Sequence, residues 1–180
     1  MQASYDPLSA IAESEATGET AVILADIRDT MGLPLVTSIW RSLAGIDGGL
    51  RATWAASKPL YASGQPAAAL LRLRSRMSWP VPSRLEPGDL AAAGVEEADL
   101  SVVRALVEAY DRSNGLNLLA LTGLIAAPEG DVPADRVPPT PHWPPMPPVP
   151  ARDDVRPETW TAVLRLNRLG ATPGEPGLAT

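Results

Sequence analysis

The sequence predicts an all-α protein: a helical domain of about six helices with a proline-rich arm. Three observations lead there. Apolar residues recur at i, i+3, i+4 and i+7 in several segments, the spacing of one helix face. No alternating strand pattern stands out. Glycine and proline fall between the periodic segments, where helices stop. With 180 residues and 45% hydrophobic content, the chain suits one domain with a sizeable core. Phenylalanine is absent, so Trp, Leu, Val, Ile and Ala must build it.

The elements follow in order. Residues 1–18 are small and polar and read as a flexible N-terminus. Glu19 to Met31 reads as a helix, with Thr17 as a candidate cap and Gly32 and Pro34 ending it. A second helix is expected to begin near Pro34, because proline is tolerated at the first helical position. Val36, Ile39, Trp40 and Leu43 would form its apolar stripe. After a turn at Gly45 to Gly49, a long helical stretch runs from Leu50 to Trp79, with breaks expected at Pro59 and around Gly64-Gln65-Pro66. Trp54, Leu70, Leu71 and Met77 are its expected buried residues.

A short helical turn near Asp89 to Ala93 precedes a helix from Glu97 to Ser113. Leu100, Val103, Val107 and Tyr110 share one side of it. Asn114-Gly115 is expected to close this helix. A separate, nearly all-apolar helix follows from Leu116 to Ala127, completing a core domain over 19–127. Residues 128–150 hold ten of the twenty prolines, which excludes helix or central strand. They read as an arm packed on the domain through Trp143, Met146 and Val149, with a PxxP ligand as the alternative. The final segments are a C-terminal helix within 151–169, starting near Pro157, and a disordered tail at 170–180.

Composition narrows the function classes. The net charge is −6 with no basic cluster, which argues against a nucleic-acid partner. Without cysteine there is no disulfide, thiolate metal site or cysteine nucleophile. The single histidine, His142, argues against a histidine-based triad or a multi-histidine metal site within one chain. No stretch approaches the roughly 18 consecutive apolar residues of a membrane span. The N-terminus MQASYDPLSA lacks the regions of a signal peptide. The expectation is a soluble cytoplasmic protein using no cofactor and no metal.

On a helical wheel of the first helix, Ile23, Leu24, Ile27 and Met31 mark the inner arc. Asp26 falls at its edge, with Thr30 one turn on. Partial burial disfavours a charged carboxylate, so a raised pKa is expected there, as a general base needs. A solvated or salt-bridged acid is the alternative.

Several stretches together resemble the group I 2-haloacid dehalogenase family. They are Asp26-Ile27-Arg28, Gly32-Leu33-Pro34, Val36, Ile39-Trp40-Arg41, Leu43-Ala44, Trp54, Lys58-Pro59-Leu60, Tyr110-Asp111-Arg112-Ser113-Asn114 and Asn117-Leu118. The resemblance covers roughly residues 20 to 125. It implies an all-helical fold in which two tandem repeats form a pseudo-dimer around the active site. It also implies an acid that activates water to attack the halogen-bearing carbon, with no covalent enzyme ester, cofactor or metal. Asp26 stands at the position of that acid. This chain has room for one repeat only, so the resemblance implies a homodimer with two copies of Asp26 near one axis. Two like carboxylates would then split their pKa values. Val22 stands one turn before Asp26, where a hydroxyl would have helped to orient water.

Such a displacement needs a dry pocket, donors for the departing halide and an anchor for the substrate carboxylate. Candidate substrate-binding residues are Thr37, Trp40, Arg41, Tyr110, Asn114 and Asn117, with Ser38 a further hydroxyl donor. Each has a structural alternative: core for Trp40, a solvated neighbour for Arg41, a helix cap for Asn114, a buried polar group for Asn117. Two expectations follow. One is a hydrolase in which Asp26 activates water against a small 2-halocarboxylic acid at a homodimer interface. The other is a non-catalytic homodimeric helical protein binding a small apolar ligand or a protein partner.

Overall fold

The computed structural model describes residues 10–78, 80–81, 83–92, 94–126, 142–147 and 152–161. The described residues are mostly helical and contain no strand. Six α-helices lie within the described residues up to 126: α1 (Gly18–Met31), α2 (Ser38–Leu43), α3 (Gly49–Ala62), α4 (Gln65–Arg76), α5 (Pro87–Ala92) and α6 (Leu100–Ile125). Short 3-10 turns stand at Glu13–Glu15, Glu97–Asp99 and Arg152–Asp154. No helix among the described residues is long and apolar enough to cross a membrane.

The chain divides into two units, and the larger spans Ala10–Met146. Its core joins α1, α2, α3, α4 and α6 around Leu24, Ile27, Trp40, Trp54, Leu70 and Leu116. α1 buries Leu24, Ile27 and Met31, three of the four residues expected inside, and ends at Gly32 with φ 62°. The amides of Gly32 and Leu33 donate to the carbonyls of Asp29 and Arg28, so two otherwise orphaned carbonyls are satisfied.

The second helix does not begin at Pro34. It starts at Ser38, and its register differs from the expected stripe: Ile39 is exposed, while Trp40 is fully buried. Proline disfavours helical geometry in the preceding Leu33, and the chain stays non-helical through Val36 and Thr37. Glu13 holds this connection, accepting from the Arg28 guanidinium and the Val36 amide.

Pro59 lies inside α3 and does not break it. The carbonyl it leaves unpaired belongs to Ala55, which is exposed and can be solvated, and only one turn follows. Gly64, with φ 75°, makes the break before α4. Of the expected inner residues of this stretch, Leu71 and Met77 are exposed.

The break expected at Asn114-Gly115 is absent, and α6 runs unbroken through both residues. Gly115 serves packing instead of capping: a Cβ there would meet both Leu70 methyls at 2.7 Å. Small residues let α4 and α6 approach, so the buried face of α6 is Ala105, Ala109, Ser113, Leu116, Asn117 and Ala120. Val103 and Val107, on the apolar side read from the sequence, are exposed.

Trp143 anchors the described part of the arm. Its indole N–H donates to the Gly32 carbonyl at 2.9 Å, and its ring lies against the core. The other described residues, in the smaller unit, include a helical start at 157–161. The expectations for residues 1–9, Trp79, most of the proline arm with Val149, the C-terminal helix beyond 161 and the tail lie outside the described residues.

Candidate functional site

Four helices bring the relevant side chains together: α1 carries Asp26, α2 Trp40, α3 Trp54, Lys58 and Tyr61, and α6 Ser113 and Asn117. On α3, Leu50, Trp54, Ser57 and Tyr61 follow a spacing of four, three and four residues, so all lie on the buried face. Trp40 of α2 meets both aromatics of α3. Its ring centre is 5.4 Å from that of Trp54 and 6.1 Å from that of Tyr61, both edge-on. Trp54 and Tyr61 are 5.7 Å apart. Edge-to-face pairs place the positive ring edge against the negative face, which fixes relative orientation as well as burying area.

Each polar end in this cluster has a partner. The Trp40 indole N–H donates to Asn117 Oδ1 at 3.1 Å, and the Tyr61 hydroxyl donates to the same oxygen at 2.9 Å. Asn117 Nδ2 donates to the hydroxyls of Thr37 at 3.2 Å and Ser113 at 3.4 Å. Those two hydroxyls bond each other at 3.1 Å. An indole nitrogen can only donate, so the amide must turn its oxygen toward Trp40. Asn117 thereby uses two acceptor and two donor positions, all inside the protein. Burial pushes the Tyr61 phenol well above its ordinary value, so it stays neutral and continues to donate.

Asp26 lies at the outer end of this cluster. The Trp54 indole N–H donates to Asp26 Oδ2 at 2.8 Å. Lys58 Nζ, one turn further along α3, donates to both carboxylate oxygens at 2.8 and 2.7 Å. The raised pKa expected from partial burial is not found. The hydrogen bond from Lys58, then that from Trp54, hold the carboxyl below its ordinary value and outweigh desolvation. The side chains of Asp26 and Lys58 are 38% and 46% exposed, so water still reaches both.

Of the sequence-predicted residues, Thr37, Trp40 and Asn117 thus share one buried network, and Asp26 joins its aromatic side through Trp54. The other three have no described hydrogen bond to that network. Arg41 donates to the Ile11 carbonyl at 3.2 Å, holding the N-terminal segment. Tyr110 is half-buried, and Asn114 is exposed on α6. Sequence reasoning did not single out Ser57, Lys58, Tyr61 or Ser113 as site residues. The signal was available for all four: Trp54 to Lys58 and Ser113 to Asn117 are i, i+4 pairs, and Ser57 and Tyr61 extend the Trp54 stripe.

Among the described residues, three of the clefts lie elsewhere in the larger unit, and Asp26 lines none of these three. No group of acidic or histidine side chains that could hold a metal occurs among the described residues. Comparison with family models, curated proteins and solved structures finds no match to this chain.

Proposed function

We propose that the protein is a hydrolase acting on a small 2-halocarboxylic acid, with Asp26 taking the proton of the attacking water. The observation that carries this reading is the Asp26–Trp54–Lys58 constellation: a half-exposed carboxylate, kept charged, beside an ammonium and an aromatic wall. The resemblance to the group I 2-haloacid dehalogenases supports it from the sequence side. A small carboxylic-acid substrate, a homodimer and no cofactor complete the reading.

The chemistry assigns Lys58 a role as well. A substrate carboxylate would compete with Asp26 for the Lys58 ammonium. Withdrawal of that cation raises the basicity of Asp26 as the substrate binds. Water oxygen then bonds to the α carbon, the halide leaves with the electron pair, and Asp26 accepts a water proton. The Trp54 indole keeps the carboxylate oriented throughout. Thr37, Trp40 and Asn117 act below the site, holding the aromatic wall and not touching substrate.

A second reading is favoured by a different pair of observations. The hydrogen-bonding capacity of Asn117 is filled internally, and Asp26 lines none of the described clefts. Both suit a non-catalytic helical protein that associates with a partner. Halide release from racemic 2-chloropropionate and 2-bromopropionate separates the two. The hydrolase reading expects release by wild type, abolished in Asp26→Asn; the second expects none from either.

A further inference from the structure

One side of α6, away from its buried face, carries an apolar stripe on which Val103, Val107, Leu118 and Ile125 are exposed, while Leu121 packs partly against the core and Leu100 lines a cleft. Leu100, Val103, Val107, Tyr110, Asn114, Leu118, Leu121 and Ile125 fall in one sector at about 100° per residue. Val107 is 65% exposed, Leu118 62% and Ile125 90%. The stripe holds no charged residue, and Asn114 is its one amide. Arg104, Glu108, Asp111 and Arg112 all lie to one flank.

The stripe is symmetric about Asn114. Four residues to either side stand Tyr110 and Leu118; seven to either side, Val107 and Leu121; eleven to either side, Val103 and Ile125. Laid antiparallel on a copy of itself, α6 therefore sets apolar against apolar at each step. The two Asn114 amides meet on the two-fold axis, each able to donate to the other. Self-complementarity of this kind is what an isologous contact requires. A lone polar residue in an apolar seam fixes register.

We propose that a second copy of this chain covers this stripe, in an antiparallel α6–α6 pair with Asn114 on the axis. The pairing goes beyond the hydrolase reading, whose implied axis lies near Asp26: it uses a different set of residues, on α6, and does not rest on the chemistry of Asp26. A helix of 26 residues is about 39 Å long, so a seam about 10 Å wide covers on the order of 400 Å² per protomer. That is below the roughly 800 Å² per partner of a standard interface, which makes a reversible dimer. A cleft of about 710 Å³ adjoins the stripe at the N-terminal end of α6, where Leu85, Leu90, Val95 and Leu100 line it together with Glu96, Glu97 and Arg104. The two-fold sets the partner's Ile125 beside Val103, one turn from that cleft.

The chain has no cysteine of its own, so single cysteines report the geometry. Full-length Asn114→Cys should form a disulfide dimer on mild oxidation. Val103→Cys and Ile125→Cys, both at exposed positions, should each cross-link poorly alone and readily when mixed. Sedimentation of wild type from about 10 µM to 1 mM should show a mass rising toward the dimer. Val107→Glu, at an exposed position and with an unchanged far-ultraviolet spectrum, should raise the dissociation constant at least about tenfold. A wild type that stays monomeric throughout overturns the proposal. So does a dimer that Val107→Glu leaves intact, or Val103→Cys linking to itself faster than to Ile125→Cys.

Discussion

Replacing Asn117 with alanine deletes the acceptor shared by Trp40 and Tyr61 in a part of the protein that water does not reach. Thr37 and Ser113 lose the amide donor but keep each other at 3.1 Å, so little is orphaned on that side. On the other side an indole N–H and a phenol hydroxyl remain buried without a partner. An unsatisfied buried donor costs about 1–3 kcal/mol, so the two together cost about 2–6 kcal/mol. Against a typical domain stability of about 5–15 kcal/mol this is a large fraction. Urea unfolding followed by tryptophan fluorescence should show the midpoint falling by about 2 M, taking a slope near 2 kcal/mol/M. Tyr61→Phe refines the test. In wild type it removes one good bond and should cost about 1 kcal/mol. In the Asn117→Ala background it removes an orphan, so it should be neutral or stabilising. A loss below about 1 kcal/mol for Asn117→Ala, or an equal Tyr61→Phe cost in both backgrounds, refutes the closed-network account.

Further consequences concern the ion pair and the helix contact. The folded-state pKa of Asp26 is lowered, so the stability it contributes is present above the ordinary carboxylate value of about 4 and fades as pH falls through the lower folded value. Asp26→Asn should therefore be less stable than wild type at pH 7. Because both partners are largely exposed, the deficit from the pair should be at most about 1 kcal/mol. It should close below about pH 4, and denaturation across pH 2 to 8 checks both size and sign. Gly115→Val should lower stability by about 1–3 kcal/mol in thermal unfolding, since its Cβ would meet the Leu70 methyls at 2.7 Å. An unchanged or raised melting temperature would remove Gly115 from its assigned role as the close-approach point of α4 and α6.

The helical class and the inner arc of α1 were legible in the sequence because a 3.6-residue period and the glycine at 32 need no tertiary information. Gly115 was not legible in the same way. A glycine after an asparagine reads as a helix end, and only the nearby Leu70 makes it a packing position. The buried face of α6 was not legible for a related reason. Large apolar residues signal burial by transfer energy, but Ala105, Ala109 and Ser113 face the core because small side chains allow close helix approach. The edge position of Asp26 was legible, whereas its pKa direction was not. Burial is inferred from the period of its own helix; the opposing Lys58 lies on another helix, 32 residues away.

The most direct test of the central claim is halide release by the purified full-length protein, on racemic 2-chloropropionate and 2-bromopropionate at pH 7 to 9. The hydrolase reading expects release above buffer by wild type, lost in Asp26→Asn at unchanged helical content. Lys58→Ala should weaken substrate saturation more than the chemical step. Wild type releasing nothing above buffer contradicts the assignment for these substrates. Equal release by wild type and Asp26→Asn contradicts the role of Asp26 as the group that takes the proton from water.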